Sequence, residues 1–424
     1  MTQSEALEIL KSNANVFLSG PPGSGKSYVI EQYVKWAKKL GLEVAVTAST
    51  GVAASLIGGS TIHSWAGISG RDHPDKLPND FTSLRLNKTQ VLIIDEISML
   101  SGSFLLQLDA LLKKVRKNRQ PFGGLKTVLC GDFYQLPPVW KGKSNDYVFL
   151  SDCWKQMKLV SCLLDEQHRQ RKDQLYEVLM ALRQRHFSRR LLDNLTARQN
   201  LPLPDTTVLL THNNQVEQIN LKRLAKIEHP AHQYNMQISG NRIDGERIVK
   251  NLLSPRQLLL KEGARVMFTA NDFSSGFVNG TQGIIVGFKH GLPLVELDGN
   301  GLRLLVEARA WQEEVNGKII AQVHQLPLRL AWSMTIHKSQ GMSLASAAID
   351  LSRSFSYGMG YVALSRLKSY EGLYLLGYNS RSLELDPIVH DFYAAFEPLT
   401  NYSNQRRQAL ADYGVNYSYI DLIS

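Results

Sequence analysis

Cysteine is scarce: Cys130, Cys153 and Cys162 are the only three in 424 residues. The number is odd and no two have the Cys-x-x-Cys spacing of a metal or redox pair, so neither a disulfide framework nor a zinc site is expected, and a reducing compartment fits best. No run approaches the ~18 consecutive apolar residues of a membrane span, and the N-terminus lacks a basic patch followed by an apolar stretch and a small-residue cleavage site. Membrane insertion and Sec-type secretion are therefore not expected. There is no internal repeat, low-complexity tract or long linker. Charged residues are only 20% of the chain against 43% apolar, which excludes a disordered or fibrous class and leaves material for sizeable cores. At ~100–200 residues per domain the length allows two to four domains. An excess of 48 Lys and Arg over 38 Asp and Glu gives a net charge of +10, which steers toward polyanions but does not by itself identify nucleic acid.

Short β-rich runs alternate with helical patterns over the first 165 residues: Val16-Phe-Leu, Val44-Ala-Val, Val91-Leu-Ile-Ile, Thr127-Val-Leu-Cys and Leu159-Val-Ser-Cys-Leu. This alternation predicts a parallel, doubly wound α/β sheet. Val208-Leu-Leu-Thr, Ala347-Ala-Ile-Asp and Leu373-Tyr-Leu-Leu-Gly predict a second α/β layer. Between residues 226 and 325 the texture changes to Gly-punctuated alternation, as in Gln282-Gly-Ile-Ile-Val-Gly-Phe, which reads as an inserted antiparallel β unit. Residues 69–80, with Gly70, Pro74 and Pro78, read as a loop or hairpin insertion. The expected domains are 1–165, a second α/β domain from 166–225 and 326–395, the insertion 226–325, and a tail 396–424. The basic runs Lys113–Arg119 and Arg183–Arg190 read as solvated helix faces.

Gly20-Pro-Pro-Gly-Ser-Gly-Lys26-Ser27 matches GxxxxGK[ST] between a strand and a helical pattern, the context this phosphate loop requires. Its glycines let backbone N–H groups close around phosphates, Lys26 supplies a point charge, and Ser27 can ligate Mg²⁺. The expected nucleotide-contact set is Gly20, Pro21, Pro22, Gly23, Ser24, Gly25, Lys26, Ser27 and Tyr28. Val91-Leu-Ile-Ile ends in Asp95-Glu96 at the carboxyl edge of the sheet. Asp95 is expected to hold the metal and Glu96 to orient or deprotonate water; the alternative is an acidic helix cap. Gln135, in Gly131-Asp-Phe-Tyr-Gln-Leu-Pro-Pro138, is the candidate γ-phosphate sensor, against an ordinary Pro-rich turn. Arg169 and Arg366 are candidate arginine fingers, against surface ion-pair arginines.

Taken with Thr335-Ile-His-Lys-Ser-Gln-Gly341 and Tyr361-Val-Ala-Leu-Ser-Arg366, these motifs stand in the order of superfamily 1 helicases. From residue 1 to about 380 the chain resembles the Pif (petite integration frequency) DNA helicases. The stretch from Asp95 to Val139, with Leu108-Asp-Ala-Leu and Pro121-Phe-Gly-Gly, separates that family from RecD-like and Dda-like relatives. The resemblance implies two RecA-like P-loop motor domains, a Src-homology-3-like β-barrel inserted in the second, and the 69–80 insertion as a duplex-splitting wedge. It places Gln3 as the adenine reader and gives Lys26, Ser27, Asp95, Glu96, Gln135, Arg169 and Arg366 the ATPase roles above. One departure is Gly358-Met359-Gly360, where the family commonly has Gly-Gln; Met359 cannot make the amide hydrogen bonds.

By the same resemblance the strand-contacting positions are Thr47, Ser49, Thr50, His63 and Ser64 in the first domain, and Thr211, His212, Asn213, His337, Lys338 and Ser339 in the second. Trp65, Phe133 and Tyr134 are candidates for base contact, with core packing as the alternative. The implied function is an ATP- and Mg²⁺-dependent DNA helicase moving 5′ to 3′ on single-stranded DNA. Forked duplex, G-quadruplex and RNA–DNA hybrid are its implied substrates, in replication, repair or telomere maintenance. It is expected to be a monomer in solution, off membranes, and cytoplasmic or nucleoid-associated in a bacterial or phage setting. A nucleotide switch or kinase would leave Thr335–Gly341 unexplained, and a strand-binding module with a vestigial ATPase would not need the intact Lys26, Asp95, Glu96, Gln135 and Arg366.

Overall fold

The five apolar runs of the first domain all become strands, joined by one short addition: β1 Val16–Ser19, β2 Val44–Ala48, β3 Ser60–Thr61, β4 Val91–Asp95, β5 Lys126–Cys130 and β6 Val160–Leu163. They form one parallel sheet in the order β3-β2-β4-β5-β1-β6. The computed structural model describes residues 1–68, 78–138, 145–166, 173–186, 188–272, 275–277, 279–298, 301–315 and 318–395. It divides into two units, Met1–Arg171 with Leu385–Ser424, and Lys172–Glu384.

β1, β4 and β5 are buried throughout, as strands covered on both faces must be. Alternation sends Val16 and Leu18 to one face, where they pack with Ala6, Ile9 and Leu10 of helix α1 (Gln3–Leu10) and Val29, Ile30 and Tyr33 of helix α2 (Lys26–Lys39). Phe17 points to the other face and joins an aromatic cluster with Phe133, Trp154 and Phe392. Burying each such side chain contributes roughly 1.5–3 kcal/mol. Phe392 lies on helix Pro387–Ala395, which therefore completes the first unit. The expected end of the second domain at 395 is corrected accordingly: the chain leaves the second unit at Glu384, and Asp386 receives the Tyr147 hydroxyl at 2.6 Å.

In the second unit, strands Ser333–Thr335, Val208–Leu210, Ala347–Leu351 and Leu373–Tyr378 form a parallel sheet in that order. The inserted segment is antiparallel, as its alternation predicts. Its largest sheet runs Arg303–Leu305, Leu292–Leu297, Gln282–Lys289, Arg265–Phe268 and Leu328–Leu330. Because Leu328–Leu330 pairs with Arg265–Phe268, the insertion extends past the expected boundary at 325. Phe268, Ile285, Val295 and Leu328 form its core. None of the three cysteines forms a disulfide, and all are buried. No described helix is long and apolar enough to cross a membrane, and no cluster of metal-ligating side chains occurs among the described residues. Of the 69–80 insertion expected as a wedge, residues 69–77 lie outside the described residues, as does the tail 396–424; Asn79 caps helix Asp80–Lys88.

Candidate nucleotide site and strand-contact residues

The phosphate loop spans the gap between β1 and α2. Gly25 opens α2 in the left-handed region at φ +87°, with no side chain capping the helix, so the first-turn N–H groups face the loop. At Gly20, φ is +152° and a Cβ would stand 2.7 Å from the Leu164 carbonyl oxygen and 2.8 Å from Ser24 Oγ. Lys26 Nζ donates to the carbonyls of Gly20 at 2.8 Å and Pro21 at 3.1 Å, which holds its charge over the loop. Ser24 Oγ is buried with no hydrogen-bond partner among the described residues. Ser27 and Tyr28 are exposed, on the first turn of the helix. A helix N-terminus with a lysine and free N–H groups is a ready anion site.

Gln3 is tied directly to this loop. Its Nε2 donates to the Ser24 carbonyl at 3.2 Å and its backbone N–H to Glu166 Oε2 at 2.8 Å. The residues before it are pinned too: the Met1 amine donates to Leu163 O and pairs with Asp165, while Thr2 and Glu5 form a capping box. Gln3 is thus held against the backbone of the Gly20–Ser27 loop.

Asp95 ends β4 and is buried. Burial pushes its carboxyl up from the usual range, opposed by hydrogen bonds from the Cys130 thiol and the Glu96 N–H and by the charge of Lys26. Cys130 lies on β5 beside it, and burial with the nearby carboxylate pushes its thiol well above the ordinary range, so it acts as a donor rather than a nucleophile. Glu96 is left-handed at φ +52°, a conformation costly for a non-glycine residue and concentrated at functional sites. Gln135 is buried; its N–H donates to Asp132 O at 3.0 Å, and its Oε1 has no partner among the described residues. The P-loop, Asp95, Glu96 and Gln135 all sit at the carboxyl ends of β1, β4 and β5, where ligands bind in open α/β sheets.

The residues expected to contact the strand separate into two groups. Several are committed inside the protein. Thr47 Oγ1 donates to Ile93 O at 2.6 Å in the sheet interior, and Ser339 Oγ donates to Ile336 O at 2.7 Å. Thr211 is buried. Trp65 is 5% exposed and Phe133 is 3% exposed, so both expected base contacts are corrected to core packing: Phe133 lies against Phe17, Phe149 and Phe392, and Tyr134 stacks on Tyr393. Others remain half-buried or exposed. Ser49 donates its N–H to Asp95 O, Thr50 caps helix Gly51–Leu56 through Ala53, and His63 packs on Phe104 at 4.2 Å. Ser64 accepts from Arg85 through its carbonyl. Burial lowers the His63 imidazole below its ordinary value.

In the second unit, His212 and Asn213 are exposed at the start of helix Asn213–Ala225, and His337 and Lys338 are half-buried. Burial lowers His337; burial and the neighbouring Arg329 lower Lys338, with Glu217 opposing. His212 stacks on Phe355 at 5.2 Å and His337 at 6.4 Å, both at 16°. Phe355 is 59% exposed. The sequence reading missed it; its signal is a lone aromatic in the polar run Ser352-Arg-Ser-Phe-Ser356.

Arg366 is 1% exposed, so the surface ion-pair alternative is excluded. Its guanidinium donates to Val362 O, Met342 O and Ser365 Oγ. Met359 is buried at the first turn of helix Met359–Leu364, a core role consistent with its apolar side chain. Arg169 lies outside the described residues. The basic runs are more than solvated faces: Arg116 donates to the carbonyls of Gly123, Leu86, Asn87 and Thr89, and Arg183 to the Tyr361 hydroxyl.

A family model described as PIF1-like helicase matches residues 4–195, and one described as DNA helicase Pif1, 2B domain, matches residues 245–288. The ATP-dependent DNA helicase Pif1 of Psychrobacter sp. (strain PRwf-1) is 37% identical, over 97% of this chain and 72% of that protein. The crystal structure of Pif1 helicase from Candida albicans is similar with a TM-score of 0.79 at 34% identity, covering 93% of this chain and 98% of that one. The structure of Pif1 helicase from Bacteroides in complex with ADP-AlF3 and single-stranded DNA gives a TM-score of 0.69 at 28% identity, covering 94% and 97%.

Proposed function

This chain belongs to the PIF1-like helicase family and is a DNA helicase and ATPase, and on that premise we propose that it couples ATP hydrolysis to 5′-to-3′ movement along single-stranded DNA. The observation that carries the reading is the convergence, at the carboxyl edge of one parallel sheet, of the Gly20–Ser27 loop, the buried Asp95 and the buried Oε1 of Gln135, which has no partner among the described residues. A loop alone would bind nucleotide; turnover needs the other groups.

The residues fit ATP and Mg²⁺. A Cβ at Gly20 would close on Leu164, so the loop stays open only to glycine, and the Ser27 hydroxyl and Asp95 carboxylate are the hard oxygen donors magnesium takes. When bound there, magnesium neutralises charge on the β and γ phosphates. Lys26 swings from its loop carbonyls to the phosphates, and Glu96 takes the proton of the attacking water. Gln135 reports the γ-phosphate through its amide, and Arg169 and Arg366 neutralise charge developing on the transferred group. Gln3 holds the adenine edge. His63, Ser64, His212, Asn213, His337 and Lys338 contact the strand, with Phe355 as a stacking platform beside His212 and His337. Support for the strand reading comes from the Bacteroides relative, whose structure contains single-stranded DNA.

Forked duplex is the proposed substrate, with G-quadruplex and RNA–DNA hybrid resting on family resemblance alone, as do a monomeric state, a nucleoid-associated location and a role in genome maintenance. The test is steady-state ATP hydrolysis with Mg²⁺, with and without a single-stranded oligonucleotide, using Lys26→Ala as the blank. Strong stimulation by the strand, followed by unwinding of forks with a 5′ tail and not of duplexes with only a 3′ tail, is the expected result. Strand-independent hydrolysis overturns the coupled reading, and unwinding from a 3′ tail alone overturns the polarity.

A further inference from the structure

The helix Pro387–Ala395 places a tyrosine hydroxyl at the root of the ATP site. Ser19 is the last residue of β1, immediately before the phosphate loop, and Tyr393 Oη lies 2.7 Å from its Oγ. The same oxygen accepts the Phe133 N–H at 3.1 Å and stands 3.5 Å from Asp132 Oδ1. Ser19 and Asp132 are wholly buried. A phenol has one donor and two acceptor positions. Phe133 fills one acceptor position, and the hydroxyl exchanges its remaining bonds with Ser19 and Asp132.

The turn so held is the one that sets Gln135. The Asp132 carboxylate accepts the Tyr134 N–H at 3.2 Å and its carbonyl accepts the Gln135 N–H at 3.0 Å. The Tyr393 ring stacks on Tyr134 at 4.7 Å and 19°. Its neighbour Phe392 stacks on Phe149 at 4.2 Å and meets Phe133 edge-on at 5.4 Å. Phe392 also packs on Phe17 and Trp154, so the Tyr393 hydroxyl is not the only anchor of the helix. What the hydroxyl adds is a direct tie between the stem of the phosphate loop and the backbone leading to Gln135.

We propose that Tyr393 is a positioning residue for ATP turnover, its hydroxyl fixing the distance between the phosphate loop and the Gln135 turn. This rests on the ATPase reading above. A displacement on the order of 1 Å in such a constellation can cost ~10²-fold in rate.

The experiment is strand-stimulated ATP hydrolysis by full-length Tyr393→Phe, Ser19→Ala and the double variant, with thermal melting of each. Tyr393→Phe keeps the ring stack and removes only the tie; kcat is expected to fall about tenfold with the KM for ATP within about twofold, because the loop still binds phosphate. Ser19→Ala is expected to do the same, and the double variant to be no worse than either. Repeating Tyr393→Phe in a Gln135→Ala background, followed by single-turnover hydrolysis, is expected to cost nothing further. An unchanged kcat, or a loss that multiplies with that of Gln135→Ala, overturns the proposal. If Tyr393→Phe melts below the assay temperature, Ser19→Ala against Gln135→Ala decides alone. A wild-type protein with no strand-stimulated hydrolysis would instead overturn the parent reading.

Discussion

Removing the ring of Phe355 tests whether the second unit grips bases by stacking. The ring lies parallel to two imidazoles, His212 at 5.2 Å and His337 at 6.4 Å, yet is 59% exposed. Burial keeps His337 below its ordinary value, so at neutral pH that neighbour is an uncharged flat ring. An aromatic face left in water beside two stacked rings is a platform that a fourth ring, a base, can cover. One base stack is worth ~1–3 kcal/mol. In Phe355→Ala the two imidazoles persist and can still touch the base, so the lower part of that range applies, about 1–1.5 kcal/mol, or roughly a five- to tenfold rise in Kd. Fluorescence anisotropy of a labelled oligothymidine across a salt series measures it. Wild type and Phe355→Ala should give parallel lines of log Kd against log salt, because a stack releases no counterions, and Phe355→Trp should lie on or below wild type. An offset under twofold, a changed slope, or equal weakening by Trp and Ala would refute base stacking at this position.

At the nucleotide site, Gly20→Ala should raise the KM for ATP about tenfold or more, since the new methyl meets the rigid Leu164 carbonyl at 2.7 Å; an unchanged KM would show that the loop relaxes without consequence. Arg366→Ala should lower kcat by ~10³–10⁵ if it acts as a finger. Because its guanidinium also holds Val362, Met342 and Ser365 in the interior, the same variant should melt earlier, and a fall in melting temperature with unchanged kcat would leave it a purely structural arginine. Lys126, whose amine donates to the Ser12 and Ala14 carbonyls, is held down to about 7 by burial, below its ordinary 10.5. Between those values the unfolded chain binds the extra proton, so the cost of charging the buried amine is present in full below pH 7 and is relieved as pH rises toward 10.5. The difference in melting temperature between Lys126→Met and wild type should therefore shift in favour of wild type from pH 7 to 9.5, and a flat difference would refute the assignment.

How far the site could be read without a structure depends on how its atoms are assembled. Gly20 to Ser27 and Asp95-Glu96 could be proposed from sequence because each set follows directly on one strand end, and phosphate chemistry restricts what those groups can be. The parallel sheets were legible for a similar local reason, since strands buried on both faces are continuous apolar runs. Thr47 was misread because a hydroxyl in a strand shows its type but not its partner, and here the partner is the Ile93 carbonyl on β4. Trp65 and Phe133 had two readings that only neighbours could separate, and the neighbours of Phe133 include Phe392 from the far end of the chain. The insertion ran past its expected end because Leu328–Leu330 takes its register from Arg265–Phe268, not from its own flanks. A motif names the atoms that touch phosphate, but the groups that hold those atoms still come from whichever distant segment the fold delivers: Gln3 reaches the Ser24 carbonyl from the first helix, and Tyr393 reaches Ser19 from the last. The proposed ATP site is therefore held from segments distant in sequence, and a perturbation at Tyr393 should be read in kcat before the KM for ATP.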